Sequence, residues 1–472
     1  MADKSISHSV PNEVLVLILK YLDAVSLTRT RSTCRVYRDI ITSSCNDIWK
    51  SLHDEKWPNG KRTHSRLRNE NTTWSRIGWM VNSTAENSSD EGSSTDVATE
   101  VNWHREFMKR ARLDASVFRR IMSLDINRST ENTIWFSLMQ DGEDIIDKIK
   151  SILFEHRQTP NPELCRTCEM VLNGIARCTA YQEWRYLNEM GREANIEDGA
   201  IAIAKFYQNH EKIMSSNNLH DIDRYTTEML GNMAKIIQTR LEERLGIENV
   251  DKPNPWSTKN ERKTSSSYPL MEVIEEMKLF FETGYYNDIS INPFRGNESD
   301  YYNHNNSLID CVLQTSTGIP ITLAVIYTAV VRRACGIELD IIGLPGHIVV
   351  GLPHEPGAPD SQRVFVDTFH HGRILSFEEA QNIVTRYNIM FREEMVRPIS
   401  HQQVWQRMVR NLVQCHSMRA LTDEGGANNG NEAVNRDWMV AVPLRFFLED
   451  LAPNISTFFQ LVEAPGWCPR FC

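Results

Sequence analysis

The sequence lacks an uninterrupted apolar run of about 18 residues, the length that a membrane-spanning helix needs, so we predict no membrane span. Its first residues, MADKSISHSVPNEV, also lack the apolar core and cleavage pattern of a secretory signal. Basic residues are not in excess: 52 Lys and Arg against 62 Asp and Glu give a net charge of −10. This balance argues against a general nucleic-acid-binding surface.

Regularly spaced cysteines are missing as well. Ten cysteines lie scattered over 472 residues, which predicts reduced thiols and a cytoplasmic and/or nuclear protein. The motif Cys165-Arg-Thr-Cys168, with His156 and Cys178 near it, raises the question of zinc. Because a fourth ligand would have irregular spacing and no second CxxC exists, we interpret these as ordinary thiols and expect no metal site.

A chain of this length is too long for one core, and two or three domains are expected. Apolar periodicity predicts an α+β protein that is mostly helical. The predicted segments are a helical N-terminal unit at 8–55, a disordered acidic Ser/Thr-rich linker at 80–102, a helical region at 103–250, a second domain at 270–420 and an atypical tail at 421–472.

The N-terminal unit contains an amphipathic helix followed by two or three shorter ones. Apolar residues at i, i+3 and i+4 spacing are Val14, Leu15, Leu17, Ile18, Tyr21 and Leu22. A second helix is predicted from about Ser26, and Trp49 closes the unit. A core of about 50 residues is marginal and usually needs a partner or a docked neighbour. The pattern alone also fits an ordinary helical subdomain.

This segment resembles an F-box. It opens with Pro11-Asn12-Glu13 and has Val10-Pro11 where the family has Leu-Pro, and Thr33-Cys34-Arg35 where the family usually has Val-Ser-Arg. The resemblance implies docking on the Skp adaptor of a cullin–RING ubiquitin ligase, with apolar anchors filling a groove. The expected anchors, or residues that support them, are Pro11, Leu15, Ile18, Leu22, Leu27 and Trp49.

A second constellation follows residue 315. Pro320 stands where a buried helix would begin, and Gly336 is a natural stop after it. Two strands follow, broken by a Pro-Gly turn; His347 starts the second, and a later strand ends at Asp367. In thiol enzymes with this order, a cysteine starts the helix and the His and Asp complete a triad.

The arrangement resembles the papain/transglutaminase-like core, and its Gly318-Ile319-Pro320 opening is similar to the SirB-type family, in which the cysteine is commonly absent. The resemblance implies a small antiparallel sheet and a helical lead-in from about residue 195. Pro320 then holds the nucleophile position, and His347 and Asp367 are remnants of a degenerate triad. We therefore expect no catalytic residue and no cofactor.

The sequence offers other candidate nucleophiles near this helix. Cys311 precedes the helix, Cys335 lies about 20 Å from its start at 1.5 Å per residue, and hydroxyls such as Thr317 and Thr322 more often cap helices than attack. The segment from His370 to Arg373 is interpreted as a loop. Proteins with this pair of domains usually end in a hemimethylated-DNA-binding β-domain, for which no room is expected after Leu451.

The sequence predicts a non-catalytic substrate-recognition subunit of a Skp–cullin–F-box ubiquitin ligase, with an unidentified protein substrate, no membrane and no nucleic-acid partner. Two alternatives remain open. One is a cysteine-dependent hydrolase or amidase that uses His347 and Asp367. The other is a scaffolding protein whose N-terminal helices only pack internally.

Overall fold

The computed structural model describes residues 11–57, 101–124, 134, 137–138, 141–155, 161–207, 221–246, 268–286, 290–354, 357 and 359–422. Nearly all of the predicted linker at 80–102 and of the tail at 421–472 lies outside these residues, as do His156 and the side chain of Cys178. The described residues confirm the mostly helical α+β class. Among them, no helix has the length and apolar content that a bilayer crossing requires.

The chain divides into two compact units, the first formed mainly by residues 1–175 and the second mainly by residues 176–208 and 220–462. Helices of the first unit are α1 (Asn12–Leu19), α2 (Ala24–Thr33), α3 (Arg35–Ser43), α4 (Asn46–Lys56), α5 (Trp103–Leu124) and α6 (Ile146–Glu155). Helix α2 begins before the expected Ser26, because Asp23 accepts a hydrogen bond from the Ser26 N–H at 2.7 Å and caps it.

Aromatic side chains form the core of the first unit. Trp49, Trp57 and Trp103 are buried with Phe107 and the inward leucines and isoleucines of α1 to α4. The two indoles that need a buried partner have one: Trp49 donates to the Ile41 carbonyl at 3.2 Å, and Trp57 donates to an Asp carboxylate on α5 at 3.0 Å. Helix α5 thus completes a core that α1 to α4 alone would leave open.

The second unit is built around one central helix. Its helices are α7 (Pro162–Met190, which begins in the first unit), α8 (Ile196–Phe206), α9 (Asp221–Leu245), α10 (Leu270–Thr283), α11 (Ile309–Thr315), α12 (Pro320–Cys335), α13 (Phe377–Thr385) and α14 (His401–Thr422). Every residue of α12 is buried, and α8, α9, α10 and α14 pack around it. The structure thus encloses this helix on all sides.

Helix α12 has the ends that the sequence predicted. Ile319 is the N-cap and Pro320 the first helical residue, where the missing proline N–H has no intrahelical partner to lose. Gly336 ends the helix in the left-handed conformation at φ 70°, and its N–H donates to the Arg332 carbonyl at 2.9 Å. The start of the helix is thereby fixed, and with it the position that a catalytic cysteine would occupy.

A four-stranded antiparallel sheet follows α12 along the chain. Its strands are β5 (Asp340–Ile342), β6 (Val349–Gly351), β7 (Phe365–Asp367) and β8 (Arg373–Leu375), paired in that order. Shorter pairs precede it: β1 (Tyr285–Tyr286) with β2 (Ser290–Ile291), and β3 (Arg295–Gly296) with β4 (Thr317–Gly318). Since β6 and β7 are neighbours, the residues that flank their ends come together in space.

Candidate functional site

The first side chain of the candidate site, His347, lies in the loop between β5 and β6. Gly346 precedes it with a φ of 75°, a conformation that L-residues rarely adopt. A Cβ atom at Gly346 would also come within 2.7 Å of the Tyr387 ring. On the other side, the Arg407 guanidinium donates to the carbonyls of Leu344 at 2.9 Å and His347 at 3.3 Å. The loop therefore holds the imidazole in one place.

Asp367, the last residue of β7, is the carboxylate of the site. Its Oδ1 lies 3.1 Å from Nε2 of His347 and accepts the Phe369 N–H at 3.1 Å, while its Oδ2 lies 2.8 Å from Nδ1 of His370. Burial alone raises the pKa of Asp367, but the hydrogen bonds and charges of the two histidines outweigh it and hold that pKa below its ordinary value. Asp367 is thus an anion at neutral pH.

A cavity of about 570 Å³ opens beside this pair. The start of α12 forms one wall, with Pro320 and Ile321, and the loop of His347 forms another. The remaining polar lining comes mainly from Tyr301, Tyr302, Ser307, His370, Tyr387, Arg407, Asn411 and Gln414. The position that the resemblance assigned to the nucleophile therefore faces the same space as the histidine, and a proline occupies it.

The alternative nucleophiles are placed elsewhere. Cys335 is buried at the far end of α12, and burial raises the pKa of its thiol to about 12. The Cys311 thiol, on α11, lies 3.8 Å from the Asn305 amide oxygen and does not line the cavity. Thr317 donates its hydroxyl to the Thr315 carbonyl at 3.2 Å, and Thr322 is fully buried in α12.

Two side chains in the cavity wall, Cys415 and Ser307, were not predicted from the sequence. Cys415 of α14 is the cysteine that, among the described residues, borders this space. Ser307 borders it too, and its buried hydroxyl has no hydrogen-bond partner in the described structure. Ser307 lies in a short 3₁₀ turn that Asn303 caps, and Leu308 follows this turn and precedes α11. The sequence signal nearest to Cys415 is the apolar i, i+3, i+4 spacing of α14, which predicts that this cysteine lies on the inward side of the helix.

Of the paired cysteines of α7, Cys168 is buried, and burial raises the pKa of its thiol to about 12. Cys165 is half-buried. The interpretation of this pair as ordinary thiols stays a prediction.

A second candidate surface lies on the first unit. Helix α1 and the turn after it carry apolar residues on two sides: Leu15 and Leu19 are buried in the core, whereas the opposite side is exposed. The exposed apolar residues are Val14, Leu17, Ile18, Tyr21 and, at the start of α2, Val25. Of the anchors expected from the sequence, Pro11 and Ile18 are exposed and Leu22 is half-buried, while Leu15, Leu27 and Trp49 are buried inside the unit.

Comparisons with known proteins agree with both parts of this description. Residues 8–55 match the F-box-like family model, and residues 256–410 match the model of the transglutaminase-like superfamily. The chain is 23% identical to human F-box only protein 21 over 420 residues and 22% identical to the mouse protein over 422 residues, which is 86% of this chain in each case. No solved structure matches the chain.

A bacterial relative matches a shorter stretch of the chain. The UPF0162 protein of Xylella fastidiosa (strain Temecula1 / ATCC 700964) is 32% identical over 164 residues, 34% of this chain. The aligned parts cover 52% of that protein and 58% of human F-box only protein 21, so the chain spans little more than half the length of either relative. The chain thus combines an F-box-like segment with a transglutaminase-like domain and is similar to F-box only protein 21 over most of its own length.

Proposed function

We propose that this chain is a substrate-recognition subunit of a Skp–cullin–F-box ubiquitin ligase. The observation that carries the proposal is the exposed apolar face of α1, which lies within the F-box-like segment. Val14, Leu17 and Ile18 follow i, i+3 and i+4 spacing, so they share one side of the helix, and Tyr21 continues this surface in the turn after it.

This face fits a partner because α1 is already fixed by its other face. Leu15 and Leu19 pack in the core, so the helix has no need of the outward residues for its own stability. Ile18 is 55% exposed and Tyr21 is 91% exposed. An apolar stripe of this spacing on a fixed helix suits insertion into a hydrophobic groove, the binding mode that the F-box resemblance implies for the Skp adaptor.

The test is binding of the full chain to purified Skp adaptor by calorimetry. We expect the double variant Leu17→Asp/Ile18→Asp to lose binding at least 100-fold while its circular dichroism stays unchanged, because both side chains are exposed. Phe154→Asp is the matched control, since Phe154 is an exposed apolar residue on α6 of the same unit. Equal binding by all three proteins, or no binding by the wild type, would contradict the proposal.

The transglutaminase-like domain is proposed to bind the protein substrate and to have no reaction of its own. Pro320 supplies no nucleophile at the start of α12, while the cavity beside it presents aromatic and charged side chains that suit peptide binding. Ubiquitin transfer would take place on the cullin–RING partners. Because the chain has a net charge of −10, we propose no nucleic-acid partner. We propose that the complex works in the cytoplasm and/or nucleus.

One observation favours a second candidate, a cysteine-dependent hydrolase or amidase. Cys415 borders the cavity that also holds His347, and the His347–Asp367 pair has the geometry of a base and its orienting carboxylate. The two functions separate in one experiment, labelling of the native chain with iodoacetamide at neutral pH. If the chain is an enzyme, iodoacetamide should modify Cys415 rapidly, and Cys415→Ala or Cys311→Ala should abolish a measurable hydrolase activity. If the chain is the recognition subunit, neither result is expected.

A further inference from the structure

Three ligand-type side chains meet at one edge of the cavity in the second unit. His347 Nε2 lies 3.1 Å from Asp367 Oδ1, and His370 Nδ1 lies 2.8 Å from Asp367 Oδ2. One nitrogen or oxygen atom of each residue lies within 4.8 Å of those of the other two. Within the part of the chain that the structure describes, no other His, Cys, Asp and Glu side chains converge in this way.

We propose that His347, Asp367 and His370 bind a divalent transition-metal ion, and that Zn²⁺ is the ion this donor set favours. Zinc binds imidazole nitrogen and carboxylate oxygen at about 2.0–2.2 Å, so tetrahedral donors stand about 3.4 Å apart. The two measured separations, 3.1 and 2.8 Å, are shorter than that value and end on different oxygens of Asp367, so both rings must rotate outward to admit the ion. Hard cations such as Mg²⁺ and Ca²⁺ prefer oxygen ligands and fit this set less well.

The backbone after β7 explains why the cluster forms. Asp367 accepts the Phe369 N–H and caps the short 3₁₀ turn Thr368–His370, which brings the side chains of residues 367 and 370 to the same side. His371 and Gly372 then reverse the chain with φ values of 56° and 73°. The result is a tight corner between β7 and β8 whose inner side faces His347.

The site would keep an open coordination position. Three protein ligands leave a fourth tetrahedral position for water or a ligand atom, and both histidines border the cavity, so that position would face its interior. The far nitrogen of His370, Nε2, lies 3.9 Å from the Glu298 carboxylate. At that distance Glu298 is an exposed electrostatic neighbour of the ring and not its hydrogen-bond partner.

A hydrogen-bonded His–Asp pair inherited from a thiol enzyme explains His347 and Asp367, but it leaves His370 unexplained. The His370 side chain is 55% exposed, yet its Nδ1 is directed at the carboxylate oxygen that His347 does not use. His370 thus adds a second imidazole nitrogen beside the carboxylate, and one donor atom from each of the three residues lies within 4.8 Å of the other two. This inference does not rest on the proposed ligase function.

The experiment measures zinc in the full chain by mass spectrometry after loading with ZnCl₂ and dialysis, together with titration calorimetry of the metal-free protein. Ten cysteines supply background sites, so the quantity that decides is the difference between variants. We expect His370→Ala to lose one equivalent of zinc relative to the wild type. The matched control is His371→Ala, the exposed neighbour that lies outside the cluster, and it should keep that equivalent.

A second variant probes the carboxylate behind the site. Glu298→Gln should weaken zinc binding by less than about 10-fold, because an exposed charge pair 3.9 Å apart contributes little. Glu298 and His370 are both exposed, so neither Glu298→Gln nor His370→Ala should disturb the fold, and circular dichroism checks this. Equal zinc content in the wild type, His370→Ala and His371→Ala would overturn the proposal, as would loss of the same equivalent in both histidine variants.

Discussion

Trp405 lies directly against Gly199, so that a Cβ atom on the glycine would come within 2.4 Å of the indole Nε1. The same indole donates a hydrogen bond to the Ile196 carbonyl at 2.7 Å and is fully buried. Helices α8 and α14 therefore approach each other at a point where one of them has no side chain. Helix α14 also carries Arg407 and Cys415, so this contact positions one side of the cavity.

Gly199→Ala should destabilise the protein by about 1–3 kcal/mol, because the added methyl group overlaps a ring that cannot move without losing its hydrogen bond. Helix propensity alone predicts the opposite sign, a gain of about 0.5–1 kcal/mol. The free energy of unfolding from urea denaturation distinguishes them. A more stable variant would show that Trp405 is not held against α8.

Glu197→Gln should cost about 3–5 kcal/mol, since it leaves two buried guanidinium groups without their anion. Glu197 is fully buried in α8, pairs with Arg332, and lies 3.0 Å from the Arg333 guanidinium. Burial alone raises the pKa of Glu197, but the two arginine charges outweigh it and hold that pKa below its ordinary value. Urea denaturation of both proteins at neutral pH measures the difference.

The control for that experiment is Glu275→Gln. Glu275 pairs with Arg244 at 2.6 Å on the exposed surface of the same unit. An exposed pair contributes about 0–1 kcal/mol, so this variant should denature almost as the wild type does. Similar losses from the two substitutions would contradict a structural role for the buried triad.

Acid should remove the stability that Asp367 contributes. Its folded pKa lies below the ordinary value of 3.8, so the contribution is complete above about pH 4 and is lost as pH falls through the folded pKa. Asp367→Asn lacks it at every pH. The difference in unfolding free energy between wild type and variant should be largest near neutral pH and shrink towards about pH 2, which a series of denaturation curves in low-metal buffer would show. A constant difference would contradict the assignment.

Comparing Leu27→Ala with Ile18→Ala should distinguish residues that stabilise the F-box-like segment from residues that are free to contact a partner. Leu27 is fully buried, so its truncation should cost about 2–5 kcal/mol in unfolding free energy. Ile18→Ala removes an exposed side chain and should leave unfolding within about 0.5 kcal/mol of the wild type. Thermal denaturation of the two variants checks this; an equal loss from Ile18→Ala would mean that its face is packed in the free protein.

Local signals were enough to predict some elements from the sequence. Pro320 and Gly336 fixed both ends of α12, because proline at the first position and glycine after the last act through their own backbone conformations. The order of the strands placed His347 and Asp367 together, since antiparallel neighbours bring their flanking loops to one edge.

The remaining features depend on packing between distant segments. Nothing near Cys415 in the sequence shows that α14 lies along the cavity, because Trp405 and Gly199 fix that contact 206 positions apart. The pattern in α1 is apolar on both sides, so periodicity could not tell which side faces the core. The contact between His370 and Asp367, by contrast, is local, since it is made across the 3₁₀ turn Thr368–His370, but interpreting this segment simply as a loop does not reveal it.

The outward apolar face of α1 also affects how the free chain behaves. Val14, Leu17, Ile18 and Tyr21 present water with surface that soluble proteins usually cover, and such patches promote self-association when no partner is present. The free chain is therefore expected to precipitate when it is concentrated alone. If the proposed adaptor covers this face, co-production with the adaptor would raise the yield of the protein.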